Sequence, residues 1–375
     1  MDINKIINDK KEELIKVRRE LHALAELSHQ EFKTAEYVEN YLKDSGLSTE
    51  RVYNTGVISY LDCGADKTLL LRADMDALPM ESGVMHACGH DAHMAVLLVC
   101  AKTLVENKEK LKKNILFVFQ PAEETDGGAE PIIATGIIEK YNVTEAMGLH
   151  VMNDVEVGKI MIKPGALMAS PDDFQIKICG RGGHGAHPEK AKDPIPTAGK
   201  LVEKLNAITH KKIKSGEHQV VQVCTVNAGT SCNVIPDCVH ISGTARAFDE
   251  KVRKEIPEIM DKIISNACNK SGLSYEFSFN FRYPPLINDK FMAEKLQKTV
   301  EITMGDIVVN WKDPVMLGDD FAYFAKEVPS VYFYLGTGNE EKNIKMSLHS
   351  EGFDIDENGL TVGLGVYLSY IFNAF

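Results

Sequence analysis

Between Phe174 and Phe281 the order of predicted elements changes, and that change constrains the fold more than any other feature of the chain. Ahead of it, helical and extended segments alternate. Leu14, Val17, Leu21 and Leu24 recur at helical spacing and predict a helix over 4–24. A second helix is expected over 31–44, stopped by Gly46. Strands are expected at 57–61 and 68–71, and a helix at 91–106. The continuous apolar run Ile115 to Phe119 reads as a central parallel strand. A helix at 129–141 and a strand at 146–149 complete this part. Strands alternating with helices imply an α/β sheet covered on both faces. Then come a strand at 174–179, a helix at 195–213, strands at 219–226 and 239–247, a helix at 250–271 and a strand at 274–281. That β-α-β-β-α-β order is the ferredoxin-like split unit. Pro171 and Pro284-Pro285 flank it as hinges. Alternation resumes with a helix at 289–304, a strand at 307–311, a helix at 319–327, a strand at 330–335 and a helix at 357–373. The expected organisation is a larger domain over 1–171 and 286–375, with a smaller one inserted at 172–285.

Composition removes several classes of function. Lys plus Arg is 42 and Asp plus Glu is 54, a formal net charge of −12. Nucleic-acid binding calls for a basic patch or stripe, so that partner is disfavoured. The longest apolar run, Met94 to Ala101, falls far short of the roughly 20 residues that span a bilayer. The charged start, Met1 to Glu13, carries no apolar core of a secretory signal, so a cytoplasmic protein is expected. The eight cysteines are scattered without a CxxC pair, which predicts reduced thiols.

The densest chemistry lies in Met85-His86-Ala87-Cys88-Gly89-His90-Asp91-Ala92-His93, between a strand and a helix. Cys thiolate and neutral imidazole are metal ligands, and Gly89 lets the backbone turn sharply between two of them. The zincin pattern HExxH is absent, so further ligands must come from distant segments. Gln120-Pro121-Ala122-Glu123-Glu124 directly follows the apolar strand, where open α/β sheets place their ligands. Two adjacent carboxylates there can divide labour, one binding metal and one acting as general base. Gly148-Leu149-His150 ends the next strand, and Leu348-His349-Ser350 follows a later one. Cys88, His90, Glu124, His150 and His349 together make a soft, nitrogen-rich set. It suits Zn²⁺, Mn²⁺, Co²⁺ or Ni²⁺ better than Mg²⁺ or Ca²⁺. Gly180-Arg181-Gly182-Gly183-His184-Gly185 fits GxGxxG literally. No helix opens from it, because Pro188, Pro194 and Pro196 intervene, so it reads as a loop presenting His184 rather than a nucleotide site. Arg246, in Gly243-Thr244-Ala245-Arg246, could clamp a substrate carboxylate.

These residues, with Leu71-Arg72-Ala73-Asp74-Met75-Asp76-Ala77-Leu78-Pro79 and Asn233-Val234-Ile235-Pro236, run in the order of a known family. Over essentially its whole length the chain resembles the metallopeptidases that include aminoacylase and glutamate carboxypeptidase. Within them it is most similar to the amidohydrolase branch of N-acyl-amino-acid deacylases, hippurate hydrolase and N-acetyldiaminopimelate deacetylase. The resemblance implies a large mixed-sheet α/β catalytic domain of the phosphorylase/hydrolase-like kind, with an inserted ferredoxin-like α+β lid domain. It implies two divalent ions held by Cys88, His90, Glu124, His150 and His349, with Glu123 as general acid/base and His184 stabilising the oxyanion. Asn233 and Arg246 would touch substrate, and Asp76 and Asp91 would orient ligands.

The implied reaction is metal-dependent hydrolysis of the amide bond of an N-acyl amino acid, such as N-acetyldiaminopimelate or hippurate, or of a similar small conjugate. The implied assembly is a homodimer or homotetramer through the lid domain. A dipeptidase or carboxypeptidase using the same site is the alternative; a non-catalytic binding protein on the same scaffold is another. The chain departs from its family between Pro79 and Met85, where about a dozen residues are missing and only Met80 to Val84 remain.

Overall fold

The structure, a computed structural model, describes residues 2–210, 219–309, 311 and 313–373. The chain divides into a larger unit, Met1–Leu167, Ile287–Asp313 and Asp320–Phe375, and a smaller one, Met168–Leu286 and Pro314–Asp319. The short segment 314–319 joins the smaller unit, although sequence alone places it in the larger.

The larger unit is built on an eight-stranded mixed sheet. Its order is Thr49–Val52, Gly56–Leu61, Asn114–Gln120, Thr68–Asp74, Val143–Glu156, Ser330–Gly338, Ile160–Met161, Val308–Val309. The four strands from Asn114–Gln120 to Ser330–Gly338 are mutually parallel, and the Thr49–Val52/Gly56–Leu61 hairpin is antiparallel. The first two of them end in register, with Asp74 opposite Gln120, and Arg72 sits opposite both Val118 and Gly148. Strand Thr68–Asp74 is buried along its whole length, as its continuous apolar run requires. Helix His90–Val105 is buried on every side and packs with helices Lys11–His22 and Gly359–Asn373. Its middle, Met94 to Ala101, is apolar on every side, as a core helix requires.

In the smaller unit a four-stranded antiparallel sheet runs Gln219–Ala228, Cys238–Ala247, Asp172–Cys179, Ser274–Asn280. This is the ferredoxin-like order. Phe174, Ile176 and Ile178 alternate into a core shared with Leu201, Ile256 and Met260 of its helices Ile195–Asn206 and Glu250–Ser271. Asp249 caps the second helix by accepting from the Lys251 and Val252 N–H groups.

Local chemistry explains where element boundaries differ from expectation. The expected 4–24 helix is two helices, Ile3–Asp9 and Lys11–His22, broken after the weak helix formers Asn8 and Asp9. The 129–141 helix is likewise split, at Gly136 with φ +82°. The 319–327 helix starts only at Ala322. The strand expected at 307–311 is Val308–Val309, with residue 310 outside the described residues; residues 211–213 of the expected 195–213 helix also lie outside them. Cys179 and Cys238 face each other across adjacent strands, with Cα atoms 4.2 Å apart, and form a disulfide. This corrects the expectation of reduced thiols for that pair.

Candidate metal centre

Three segments reach the same end of the larger sheet. The first leaves strand Asn114–Gln120 through Ala122, whose φ of +60° is left-handed backbone on a non-glycine residue. Such strain persists only where its surroundings over-determine it. Here the buried Glu31 carboxylate accepts the Ala122 N–H at 3.0 Å and the Thr55 hydroxyl at 2.6 Å. Glu123 and Glu124 follow, and the Glu124 N–H donates to Asp76 Oδ2 at 3.0 Å. The second segment turns at Gly89, where φ is +81° and a Cβ would lie 2.3 Å from Val151 Cγ2. Only glycine fits between Cys88 and His90. The third is strand Val143–Glu156, which carries His150 in its middle and runs on to Glu156, beyond the end expected at 149. A loop brings in His349, whose N–H donates to the Ala87 carbonyl at 2.8 Å.

The five expected ligands come together. His150 Nε2 lies 3.4 Å from Cys88 Sγ, and His349 Nε2 lies 3.3 Å from the same sulfur. His349 Nε2 is also 3.3 Å from Glu124 Oε1, and His90 Nε2 is 3.8 Å from it. Cys88, His90 and His150 form one group whose ligand atoms all lie within 4.8 Å of one another; Cys88, Glu124 and His349 form a second. The two groups share the sulfur. His90, Glu123 and Glu124 form a further group at the same spacing.

The chemistry of these atoms fits a bound cation. His90 Nε2 and Glu124 Oε1 are buried without a hydrogen-bond partner among the described residues. Such orphans are costly unless something else satisfies them. The other nitrogen of His90 lies 2.9 Å from the Asp76 main-chain oxygen, and His150 Nδ1 lies 2.7 Å from the Val151 oxygen. Donation through Nδ1 leaves Nε2 of both rings to face the centre, the usual way a ligand histidine is oriented. Burial disfavours charge on His90, yet Asp74, Asp76 and Glu124 push its pKa up to about 10. The same negative field, added to burial, holds the Cys88 thiol well above its ordinary value. A cation would relieve both groups, at the cost of their protons.

His93, the third histidine of the motif, is engaged on both sides: Nδ1 with Asp74 at 2.6 Å, and Nε2 accepting the Val151 N–H at 3.0 Å. It is a brace rather than a ligand. Behind it Arg72 donates to Gln120, Asp74 and Asp320 at 2.7–2.9 Å, all buried. Asp320 also accepts from Gln120 Nε2 and from the Ala129 N–H. Sequence reading missed Glu31, Arg72 and His93 as supports.

Asp76 touches ligands: it holds the Glu124 N–H, its carbonyl faces His90, and Ser28 donates to its carboxylate at 2.7 Å. Asp91 does not. Its carboxylate bonds Arg18 at 2.8 Å, His22 at 2.7 Å and the Ala92 N–H. One residue along a helix is a rotation of about 100°, so the neighbour of His90 faces away from the centre. The expectation that Asp91 orients a ligand is therefore corrected; it ties the helix start to Lys11–His22.

The three remaining expected residues lie in the smaller unit. His184 is exposed and pairs with Val234 in a short ladder, next to Asn233, whose carbonyl accepts the Gly185 N–H at 2.8 Å. His184 Nδ1 accepts the Ala186 N–H at 3.1 Å, which leaves Nε2 to carry the proton outward. The Asn233 Oδ1 accepts from Ser231 at 2.6 Å. Arg246 is half-buried, and its guanidinium bonds the Thr244 hydroxyl and the carbonyls of Ala245 and Met316. Burial lowers its pKa, with Asp172 opposing.

A family model described as peptidase family M20/M25/M40 matches residues 70–373. The chain belongs to this family. It is a hydrolase of amide bonds, of the metal-dependent amidohydrolase and peptidase kind. It is 35% identical to thermostable carboxypeptidase 2 of Saccharolobus solfataricus, over 96% of each chain. It is 34% identical to the N-acetylcysteine deacetylase of Bacillus subtilis, over 93% of each. Among solved structures, the Bacillus subtilis YXEP protein, described as a dinuclear metal binding peptidase of the M20 family, superposes with a TM-score of 0.84. The two are 31% identical, with 97% of this chain and 98% of that one covered. No helix among the described residues is long and apolar enough to cross a membrane.

Proposed function

We propose that the protein hydrolyses the amide bond of N-acyl amino acids, such as N-acetyldiaminopimelate or hippurate, or of similar small conjugates. The observation that carries this reading is the pair of ligand groups sharing Cys88, with the Glu123 carboxylate at the same centre. Cys88, His90, Glu124, His150 and His349 would hold two divalent ions, of Zn²⁺, Mn²⁺, Co²⁺ or Ni²⁺, which suit such a set. Bound there, the ions would supply electrophilic activation of the carbonyl and a more acidic water. Glu123 takes a proton from the attacking water and delivers it to the leaving amine nitrogen. His184 donates from Nε2 to the developing oxyanion. Asn233 and Arg246 bind the substrate, Arg246 through its carboxylate. Asp76 fixes His90 and Glu124. We place a homodimer contact on the smaller unit, whose terminal strand Gln219–Ala228 is exposed over its second half.

A dipeptidase or carboxypeptidase reading draws support from the relative named as a carboxypeptidase. A panel of N-acetyl amino acids, N-acetyldiaminopimelate, hippurate and dipeptides separates the two, assayed before and after chelation. The expected result is preference for N-acyl substrates, loss of activity on chelation and recovery with Mn²⁺ or Zn²⁺. Full activity after stripping would overturn the metal chemistry; faster dipeptide cleavage would overturn the substrate class.

A further inference from the structure

Of the five candidate ligands, Cys88 and His90 stand at the start of a helix, Glu124 follows a strand and His150 lies within one, whereas His349 is on no regular element. It lies in residues 345–352, which form neither helix nor strand, and its side chain is 53% exposed. Its φ is +60°, left-handed backbone that a histidine adopts only when held there. Beside the Ala87 carbonyl that accepts the His349 N–H, the loop itself is held by Asn153, three residues beyond His150 on the same strand. Its Nδ2 donates to the Met346 carbonyl at 2.9 Å and to the Asp354 carbonyl at 2.9 Å. One side-chain amide thus joins the two ends of the loop that carries His349. The amide cannot flip, because both carbonyls can only accept; its Oδ1 in turn accepts from the buried Thr337 hydroxyl at 2.8 Å. A second, exposed tether acts from the other side. Ser82, at the tip of the short hairpin Leu78–Met80/Gly83–Met85, donates its hydroxyl to Glu351 at 2.6 Å and its N–H at 3.2 Å.

We propose that Asn153 is a positioning residue for His349: by clamping both ends of the 346–354 loop it sets the affinity of the metal position formed by Cys88, Glu124 and His349. Ser82 and Glu351 supply the weaker half of the same device. The inference rests on the reading of those three residues as ligands.

Calorimetric titration of the chelated protein with Mn²⁺ or Zn²⁺ tests it, on the wild type, Asn153→Asp, His349→Ala and the double variant. Asn153→Asp keeps the shape but turns a carboxylate toward two carbonyls. It is expected to weaken one of two ions about 10–100-fold, the usual effect of removing a support behind a ligand, and to leave the other unchanged. In the His349→Ala background it should have no further effect, since the loop then carries no ligand. Ser82→Ala, at an exposed hairpin tip that bears no core contact, should weaken the same ion by a smaller factor. Wild-type isotherms for both Asn153→Asp and Ser82→Ala would overturn the proposal. So would equal weakening of both ions, or an effect that adds to His349→Ala. A different result, two ions of unchanged affinity in His349→Ala, would overturn the ligand reading itself.

Discussion

The two units bear their candidate residues in opposite ways. In the larger unit His90 and Glu123 are buried and His90 is braced, with strained backbone at Ala122 and a glycine-only turn at Gly89 beside them. In the smaller unit His184 and Asn233 are exposed, and their side chains are held by local bonds to Ala186 and Ser231. Both units bury an arginine against carboxylates: Arg72 with Asp74 and Asp320, and Arg253 with Asp172. Only the first of these networks runs on into the candidate centre, through His93 to the Val151 N–H and through Gln120 to the strand end before Glu123. The lesson is a division of labour. The larger unit keeps unsatisfied atoms aimed at one point and holds them rigidly, as pre-organised chemistry requires. The smaller unit presents His184 and Asn233 at its surface, held only by bonds to near neighbours in sequence.

Substitutions can break that division. The largest effect is expected from Glu123→Ala. Losing the proton carrier should lower kcat by about 10²–10⁴-fold while metal content and thermal midpoint stay near wild type. Retained turnover would remove Glu123 from the mechanism, and lost metal would make it a ligand instead. His184→Ala comes next. Removal of one oxyanion donor typically costs about 10²–10³-fold in kcat. Metal stoichiometry should not change, since His184 belongs to the other unit. If metal binding falls with it, the separation of chemistry from substrate contact is wrong.

Much of this was legible in the sequence because Cys88, His90 and Glu124, three of the candidate ligands, sit in short motifs at the start of a helix or just past a strand. The apolar run Ile115 to Phe119 announces the strand, and Glu123-Glu124 must then lie at its carboxyl end. The supports were not legible. Glu31 reaches Ala122 across 91 residues, and Asn153 reaches Asp354 across 201, with no local pattern to mark either pairing. Cys179 and Cys238, 59 residues apart, likewise meet only through strand register. Asp91 misled for the converse reason: adjacency in sequence to His90 means divergence in space on a helix. Short pieces such as Ile160–Met161 carry too few residues for any period to show.

The smallest expected effect concerns stability rather than turnover, and it sharpens the contrast between units. His86 is buried in the larger unit, and neither ring nitrogen has a partner among the described residues. Burial pushes its pKa down to about 4, with Asp91 opposing. In the unfolded chain it returns to the ordinary value near 6.5. Between those values the unfolded state binds a proton that the folded state does not, so stability rises with pH across this window. The stability is fully present above about pH 6.5 and is lost as pH falls toward 4, by about 3 kcal/mol in all. Every described histidine of the smaller unit, by contrast, is exposed. Urea unfolding of the metal-free protein at pH 4.5 and 7.5 should therefore show a smaller difference in His86→Gln than in the wild type. Equal acid sensitivity in the two proteins would mean that His86 is satisfied by bound water and titrates normally.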